Sequence, residues 1–259
     1  VRKVGHHLSD AEIAARYEAF QGTLAMRPYF YAAVADFVGD VGDRSVLDAG
    51  CGPGLLLAEI QKRNPRALLF GLEIAQANVE ATRRLLNGKG DIRQGSVLAP
   101  LPFPEGQKFD LILLTEVLEH LKSPVQALQN MMRYLKPAGQ LVITFPNAAA
   151  WLPFSRLAEP LAMRIKPFRG FLPHEHPLRT EQPIDTLFSR REVLAMLRSA
   201  GLKVVGEACR EVFPYFLEFF YKFAPSIDPL PRWQVLDRLC TRLRLFDLGY
   251  RVFLRCALY

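Results

Sequence analysis

What this chain has little of narrows its reading first. No stretch of its 259 residues reaches the ~18 uncharged apolar residues that a membrane-crossing helix needs. Arg2, Lys3, His6, His7, Asp10 and Glu12 crowd the N-terminal stretch, which lacks the apolar core of a signal peptide, so a cytoplasmic location is expected. Cysteine is scarce. Cys51, Cys209, Cys240 and Cys256 form no C-x-x-C pair, and reduced thiols are expected. The net charge of +7 is not gathered into a block: basic residues are scattered and interleaved with apolar ones, without RNA-binding signatures. Nucleic acid is therefore not the favoured partner; an acidic lipid surface or plain solvation accounts for the charge equally well.

What is present suits one α/β domain with elaborations, because a chain that is 50% hydrophobic can bury a full core at this length. The most telling segment is Val46-Leu47-Asp48-Ala49-Gly50-Cys51-Gly52-Pro53-Gly54, a hydrophobic strand running into a glycine loop. Small residues there let the backbone approach a ligand closely. A dinucleotide fingerprint, G-x-G-x-x-G, needs a small third residue where this chain has Leu55, and Gly54 comes one residue early. A nicotinamide cofactor is thereby disfavoured. An ordinary strand-to-helix turn is the bland alternative for the loop alone.

The downstream pattern alternates helix and strand. A helix is predicted over 55–63, then a buried strand over 67–73 whose last residue, Glu73, follows the loop by about twenty residues. There a carboxylate can accept hydrogen bonds from the two hydroxyls of a ribose. A helix over 74–86 closes at Asn87-Gly88, a left-handed cap, before a strand over 91–94 and the turn Gly95-Ser96-Val97. A strand over 109–114 leads into Thr115-Glu116-Val117-Leu118-Glu119-His120, and Ser123-Pro124 starts a helix with an N-cap and an N1 proline. Residues 136–139 turn the chain into a strand over 140–145. Ser189-Arg190-Arg191-Glu192 reads as a capping box, Gly201 ends its helix, and strands follow over 202–208 and 250–258.

From residue 46 to about 143 this order resembles the class I S-adenosylmethionine (SAM) dependent methyltransferases, in particular small-molecule enzymes of the ubiquinone-biosynthesis O-methyltransferase type. The resemblance implies a Rossmann-like α/β fold: a seven-stranded, mostly parallel sheet with an antiparallel last strand beside the sixth, and helices on both faces. It implies SAM as cofactor and S-adenosylhomocysteine as product. Asp48 is expected to hold the cofactor's ammonium, directly or through water, while Gly50, Cys51, Gly52 and Gly54 pass along its methionine part. Glu73 and the neighbouring Ile74 take the ribose region. Ser96 stands where the family often has an acid for the adenine amino group, with Val97 against the ring, and Glu116 lines the pocket. The run Leu135-Lys136-Pro137-Ala138-Gly139 resembles the family's L-K-P-G-G turn, with Ala138 for the first glycine.

Glu116, Glu119 and His120 admit three readings. They can ligate a divalent metal, as proposed for ubiquinone-type enzymes, an option that is not favoured here. His120 can act as general base toward a substrate hydroxyl. Or Glu116 lines the cofactor pocket and His120 caps backbone in the following turn.

The remainder is read as elaboration of a single domain: an N-terminal cap over 1–42 and substrate-side insertions over 147–188 and 209–247. Residues 10–38 have helical spacing, and Tyr17 and Phe20 either face the cofactor or pack as core. The first insertion mixes aromatic with basic residues, as suits a lid over an apolar substrate or a surface touching membrane. His174-Glu175-His176 reads as a polar loop and Arg179 as a partner for an anionic group. The second insertion holds an aromatic stretch over 212–223, then Trp233, Leu236, Leu239, Cys240 and Leu243 at helical spacing. An acceptor pocket, a dimer face, a membrane patch or plain core would each use such residues. The expectation is methyl transfer from SAM to a small apolar or aromatic acceptor, O-methylation favoured, with peripheral membrane contact as an option. The alternatives are a non-catalytic interaction subunit of the same fold and an NAD(P)-dependent oxidoreductase.

Overall fold

The computed structural model describes residues 2–19, 28–151, 183–212 and 230–259. In chain order the elements are β1 (Arg2–Val4), α1 (Asp10–Ala19), α2 (Pro28–Val38), β2 (Ser45–Ala49), α3 (Leu55–Arg63), β3 (Leu68–Glu73), α4 (Gln76–Leu85), β4 (Asp91–Gln94) and β5 (Phe109–Thr115). There follow α5 (Pro124–Met132), β6 (Leu135–Pro146), β7 (Asp185–Leu187), α6 (Arg190–Ser199), β8 (Leu202–Val212), α7 (Leu230–Arg242) and β9 (Gly249–Leu258).

Seven strands form one sheet in the order β4-β3-β2-β5-β6-β9-β8, with β9 antiparallel to both its neighbours and the other pairings parallel. The central strands are hydrophobic without alternation because both faces are covered. Their side chains divide by parity. Leu47, Ile112, Leu114, Leu141, Ile143 and Leu254 join a core with Leu128 and Met131 of α5 and Val193 and Leu197 of α6. Val46, Leu111, Leu113, Val142 and Phe253 face the other way, onto Phe30 and Val34 of α2 and Leu56, Leu57 and Ile60 of α3. Helices therefore lie on both faces, as expected.

Local signals mostly act as the sequence indicates. Ser189 and Glu192 make both halves of the capping box, with Ser189 N donating to Glu192 Oε2 at 2.8 Å. Asn87 and Gly88 both have positive φ after α4. Two local expectations are corrected. Ser123 occupies the N-cap of α5 without a side-chain hydrogen bond, so Pro124 alone sets that start. Residues 136–139 are not a free turn but a bulge inside β6: between the pairs Phe109–Leu135 and Leu111–Gln140 the β6 chain gains extra residues. Lys136 anchors it, its Nζ donating to Asp110 Oδ2 at 2.7 Å.

A second sheet, not foreseen, pairs β1 antiparallel with β7. Three-residue strands are too short to show a period. The pairing ties the N-terminal segment to the end of the first insertion, and His6 Nε2 reinforces it at 2.7 Å from Thr186 Oγ1. Glu18 of α1 reaches α4, whose own N-cap side chain is Ala75, and accepts from Gln76 N at 2.8 Å.

Helix α7 lies along the edge strand β8 by its polar face. Asp237 Oδ1 accepts from Val212 N at 3.1 Å, and Thr241 Oγ1 accepts from Cys209 N at 3.1 Å. Cys240 is buried beside them, whereas Leu236, Leu239 and Leu243 are exposed, so the core reading of these leucines is corrected. The expectations for Phe20, His174, Glu175, His176, Arg179, residues 213–223 and the Trp233 side chain lie outside the described residues.

Candidate functional site

The carboxyl ends of β2, β3 and β5 converge, and the loops leaving them form the crevice where open parallel sheets take ligands. Gly50 N and Cys51 N both donate to Leu72 O, at 2.7 and 3.0 Å, which turns the chain sharply out of β2. Gly50 has φ +92°, and a Cβ there would lie 2.6 Å from Val117 Cγ2, so the loop closes against the turn after β5 only because this residue is glycine. Gly54, at φ +82°, opens α3, and a Cβ there would meet Thr82 Cγ2 at 2.5 Å. Thr82 Oγ1 in turn donates to Gly52 O at 2.9 Å, pinning the loop to α4.

Two acids face this loop. Glu73 is 8% exposed and accepts from Gly52 N at 2.9 Å and Ala75 N at 3.0 Å. Burial raises its pKa while these N–H groups pull it back. The backbone of Ile74 and the side chain of Asn78 pull it the same way. Asp48 is 1% exposed, and its Oδ1 has no hydrogen-bond partner. Burial, with the Glu73 charge second, pushes its pKa up to about 7. An unsatisfied buried carboxylate oxygen is costly, and a cationic ligand would satisfy it.

The remaining sequence-predicted residues are distributed around this cradle. Cys51 is buried and its thiol is pushed up by burial, as suits a small space-filler rather than a nucleophile. Ile74 is half-buried, its carbonyl accepting from Gln94 Nε2 at 3.0 Å. Ser96 Oγ accepts from Leu98 N at 3.2 Å, and Val97 belongs to the core, its carbonyl bound by Asn130 Nδ2 at 2.9 Å.

Glu116, Glu119 and His120 take different hydrogen-bond partners, although His120 Nε2 lies 4.0 Å from Glu119 Oε1. Glu116 adopts φ +53°, rare for a residue with a side chain, and its carboxylate turns into the protein. Oε1 accepts from Thr144 Oγ1 at 2.8 Å and Oε2 from Arg251 Nε at 3.2 Å. Arg251, 2% exposed, also donates to both oxygens of Glu211, to which Tyr29 Oη donates as well. The guanidinium lies 5.1 Å from the ring centroids of both Phe30 and Tyr250. His120 Nδ1 donates to Ile184 O at 2.9 Å, which leaves Nε2 as the accepting nitrogen. The backbone it caps is thus far along the chain, not in the following turn. Burial pushes the imidazole down to about 4, although a fifth of its side chain remains exposed. Among the described residues no three His, Cys, Asp or Glu side chains are arranged to hold a metal ion.

Glu119 is 2% exposed and its Oε2 is unpartnered; burial, then Glu116, holds its pKa well above the carboxylate range. Asp185 of β7 is pushed to about 7, chiefly by burial. Tyr17 packs with Leu8, Ile13 and Ile184, and its buried hydroxyl, also unpartnered, feels the charges of Glu119, Asp185 and Glu73. Tyr17 therefore joins the cap to the acidic edge of the crevice.

Sequence reasoning missed Arg251, Glu211, Thr144 and Asp185. One signal was available: an arginine inside an apolar strand needs a buried partner.

A family profile described as "Methyltransferase domain" matches residues 23–207. A probable S-adenosylmethionine-dependent methyltransferase of Mycolicibacterium smegmatis is 34% identical over 113 residues, covering 42% of this chain and 41% of that protein. A ubiquinone biosynthesis O-methyltransferase of Neisseria meningitidis serogroup A is 30% identical over 111 residues, covering 42% of this chain and 46% of that protein. The chain thus spans less than half the length of these curated relatives. Among solved structures, an O-methyltransferase of neocarzinostatin biosynthesis in complex with SAM superposes with TM-score 0.57 at 15% identity, covering 96% of this chain and 59% of that one. Geranyl diphosphate C-methyltransferase of Streptomyces coelicolor A3(2) also gives 0.57 at 15% identity, covering 89% and 79%. At such identities the superpositions speak for the fold. With the glycine loop, its two acids and the strand order in place, and with the profile matching well over half of its length, this chain belongs to the methyltransferase-domain family.

Proposed function

We propose that this chain, as a single domain with a cap over 1–42 and insertions over 147–188 and 209–247, transfers a methyl group from SAM to the hydroxyl of a small, largely apolar acceptor. The observation that carries the donor is the unpartnered, buried Asp48 Oδ1 beside the Gly50–Gly54 loop: it demands a cation where the family's methionine moiety carries an ammonium. The residues present therefore fit the cofactor. Asp48 would hold the ammonium, Gly50, Cys51, Gly52 and Gly54 would give the backbone approach, and Glu73 with Ile74 would take the ribose. Ser96 and Val97 would border the adenine. Glu116, fixed by Arg251 and Thr144, would close the pocket from the β5 side. Bound SAM supplies an electrophilic methyl group on its sulfonium, and transfer needs no protein nucleophile. The chain's part is to hold the acceptor oxygen in line and exclude water. His120 is the proposed base: with Nδ1–H fixed on Ile184 O, the neutral ring presents Nε2 for the acceptor's proton.

The O-methyltransferase relative and neighbour support oxygen as the accepting atom. A small-molecule acceptor rather than nucleic acid, and a peripheral membrane location, belong to the same proposal. Titrating the purified protein with SAM, S-adenosylhomocysteine and NADH tests the donor. Saturable binding of SAM and of S-adenosylhomocysteine is expected; NADH binding without SAM would overturn the reading, and binding of neither would favour an interaction subunit. Incubating labelled SAM with cell extract tests the acceptor: label is expected in a lipid-soluble fraction, and label in RNA or protein would refute it.

A further inference from the structure

Among the described residues, ten large apolar side chains are exposed, and six of them lie between 235 and 248: Val235, Leu236, Leu239, Leu243, Leu245 and Leu248. This concentration is not scatter over the surface. Helix α7 is inverted relative to an ordinary amphipathic helix, because its polar residues Asp237 and Thr241 point inward to the N–H groups of β8. Val235, Leu239 and Leu243 consequently share the outward face at helical spacing, exposed by 57%, 49% and 58%. Arg238 and Arg242, also exposed, run beside them one turn apart, and exposed Arg244 follows the helix end. Asp247 is the acid exposed in the same stretch, Asp237 being buried.

We propose that the outward face of α7, with Leu245 and Leu248 beyond it, docks on an anionic lipid surface. The choice of occupant follows from charge. A leucine row bordered by arginines matches the boundary between acyl chains and phosphate headgroups, where the leucines enter the apolar layer and the guanidinium groups stay at the phosphates. A helix of 13 residues is too short to cross, so it lies in the interface plane. The chain's +7 charge draws the whole molecule the same way. The inner side of the helix is linked to the site: Asp237 holds Val212 of β8, and the preceding Glu211 holds Arg251, the partner of Glu116. The inference deepens the peripheral membrane location proposed above and is tested apart from the methyl acceptor, since lipid binding needs neither cofactor nor turnover.

The test is co-sedimentation of the whole protein with vesicles of mixed phosphatidylglycerol and phosphatidylcholine, beside vesicles of phosphatidylcholine alone. Strong, salt-sensitive binding to the anionic vesicles is expected. Arg238→Gln with Arg242→Gln should weaken it about 25-fold, roughly fivefold for each arginine. Leu239→Ser with Leu243→Ser should weaken it about tenfold or more. Both variants alter exposed residues, and an unchanged SAM affinity and circular dichroism spectrum identify them as folded. Absence of vesicle binding, equal binding of both vesicle types, or unchanged binding by the folded leucine variant would each overturn the proposal. A dimer that the leucine variant dissociates, without vesicle binding, would give the face to a second copy of the chain instead.

Discussion

Arg251 Nε donates to Glu116 Oε2 at 3.2 Å, so a strand at the far end of the sequence fixes the carboxylate that follows the central strand. The same guanidinium holds Glu211 and lies over the aromatic rings of Phe30 and Tyr250. Three charged side chains are thereby taken out of water together, at a position where Glu116 and Glu211 both have positive φ. Removing one member leaves the others without compensation.

Arg251→Met should therefore destabilise the fold by roughly 3–5 kcal/mol, the cost of uncompensated buried charge. Urea denaturation measures it. Adding Glu116→Gln and Glu211→Gln to that variant should restore part of the loss, because neutral amides no longer need the guanidinium. A loss below about 1 kcal/mol for Arg251→Met would show the network to be dispensable.

Stability without ligand should fall as pH rises. Asp48 and Asp185 keep their protons in the fold up to about 7, whereas an unfolded aspartate releases its proton near 4. Their pKa values are raised in the fold, so their contribution is present in acid and is lost between about pH 4 and 7. Glu73, Glu116 and Glu119 are shifted in the same direction, chiefly by burial. His120, pushed down to about 4, acts oppositely between that value and the ordinary histidine value of about 6.5, and the acids outnumber it. Thermal melts of the ligand-free protein should show a higher Tm near pH 5 than near pH 8. SAM affinity should rise over the same window as Asp48 ionises, and Asp48→Asn should flatten that rise. A Tm that climbs steadily to pH 8 would contradict the assignment.

Glu73→Ala should weaken SAM binding by about 1–3 kcal/mol through lost ribose contacts. It also frees Gly52 N and Ala75 N, so Glu73→Gln, which retains an acceptor, separates ribose binding from loop support. Calorimetric titration of both variants decides. Unchanged affinity in Glu73→Ala would remove this residue from the cofactor site.

His120→Gln should lower kcat toward a hydroxyl acceptor by about 10²-fold and leave SAM affinity alone. Toward an amine acceptor, which can use its own lone pair, the loss should be small. If turnover of the hydroxyl substrate persists at every pH, the imidazole is a structural cap on Ile184 and nothing more.

The parts of this molecule legible in the sequence are those where one residue type answers one local demand. Val46 to Gly54 announces a strand and its loop because only glycines allow the approaches at Gly50 and Gly54, and Ser189 with Glu192 announces a helix start that the structure makes bond for bond. Spacing from the loop marks Glu73 as an acid at the end of its strand, and the structure folds that acid onto Gly52 N. What stayed hidden depends on partners distant in the chain: Arg251 meets Glu116 across 135 positions, and His120 meets Ile184 across 64. No local pattern encodes such a meeting. The leucines of α7 left several readings open for a related reason, since helical spacing marks an apolar face but not its direction; the two bonds to β8 set that.

Those two bonds bear on how the molecule behaves in a crowd. β8 ends the sheet, and an open terminal strand invites another chain to continue the ladder. With the amides of Cys209 and Val212 already engaged by Thr241 and Asp237, a newcomer finds no free donors at those steps. The helix thus serves as a selvedge, and loss of the Asp237 carboxylate would show first as self-association at high concentration.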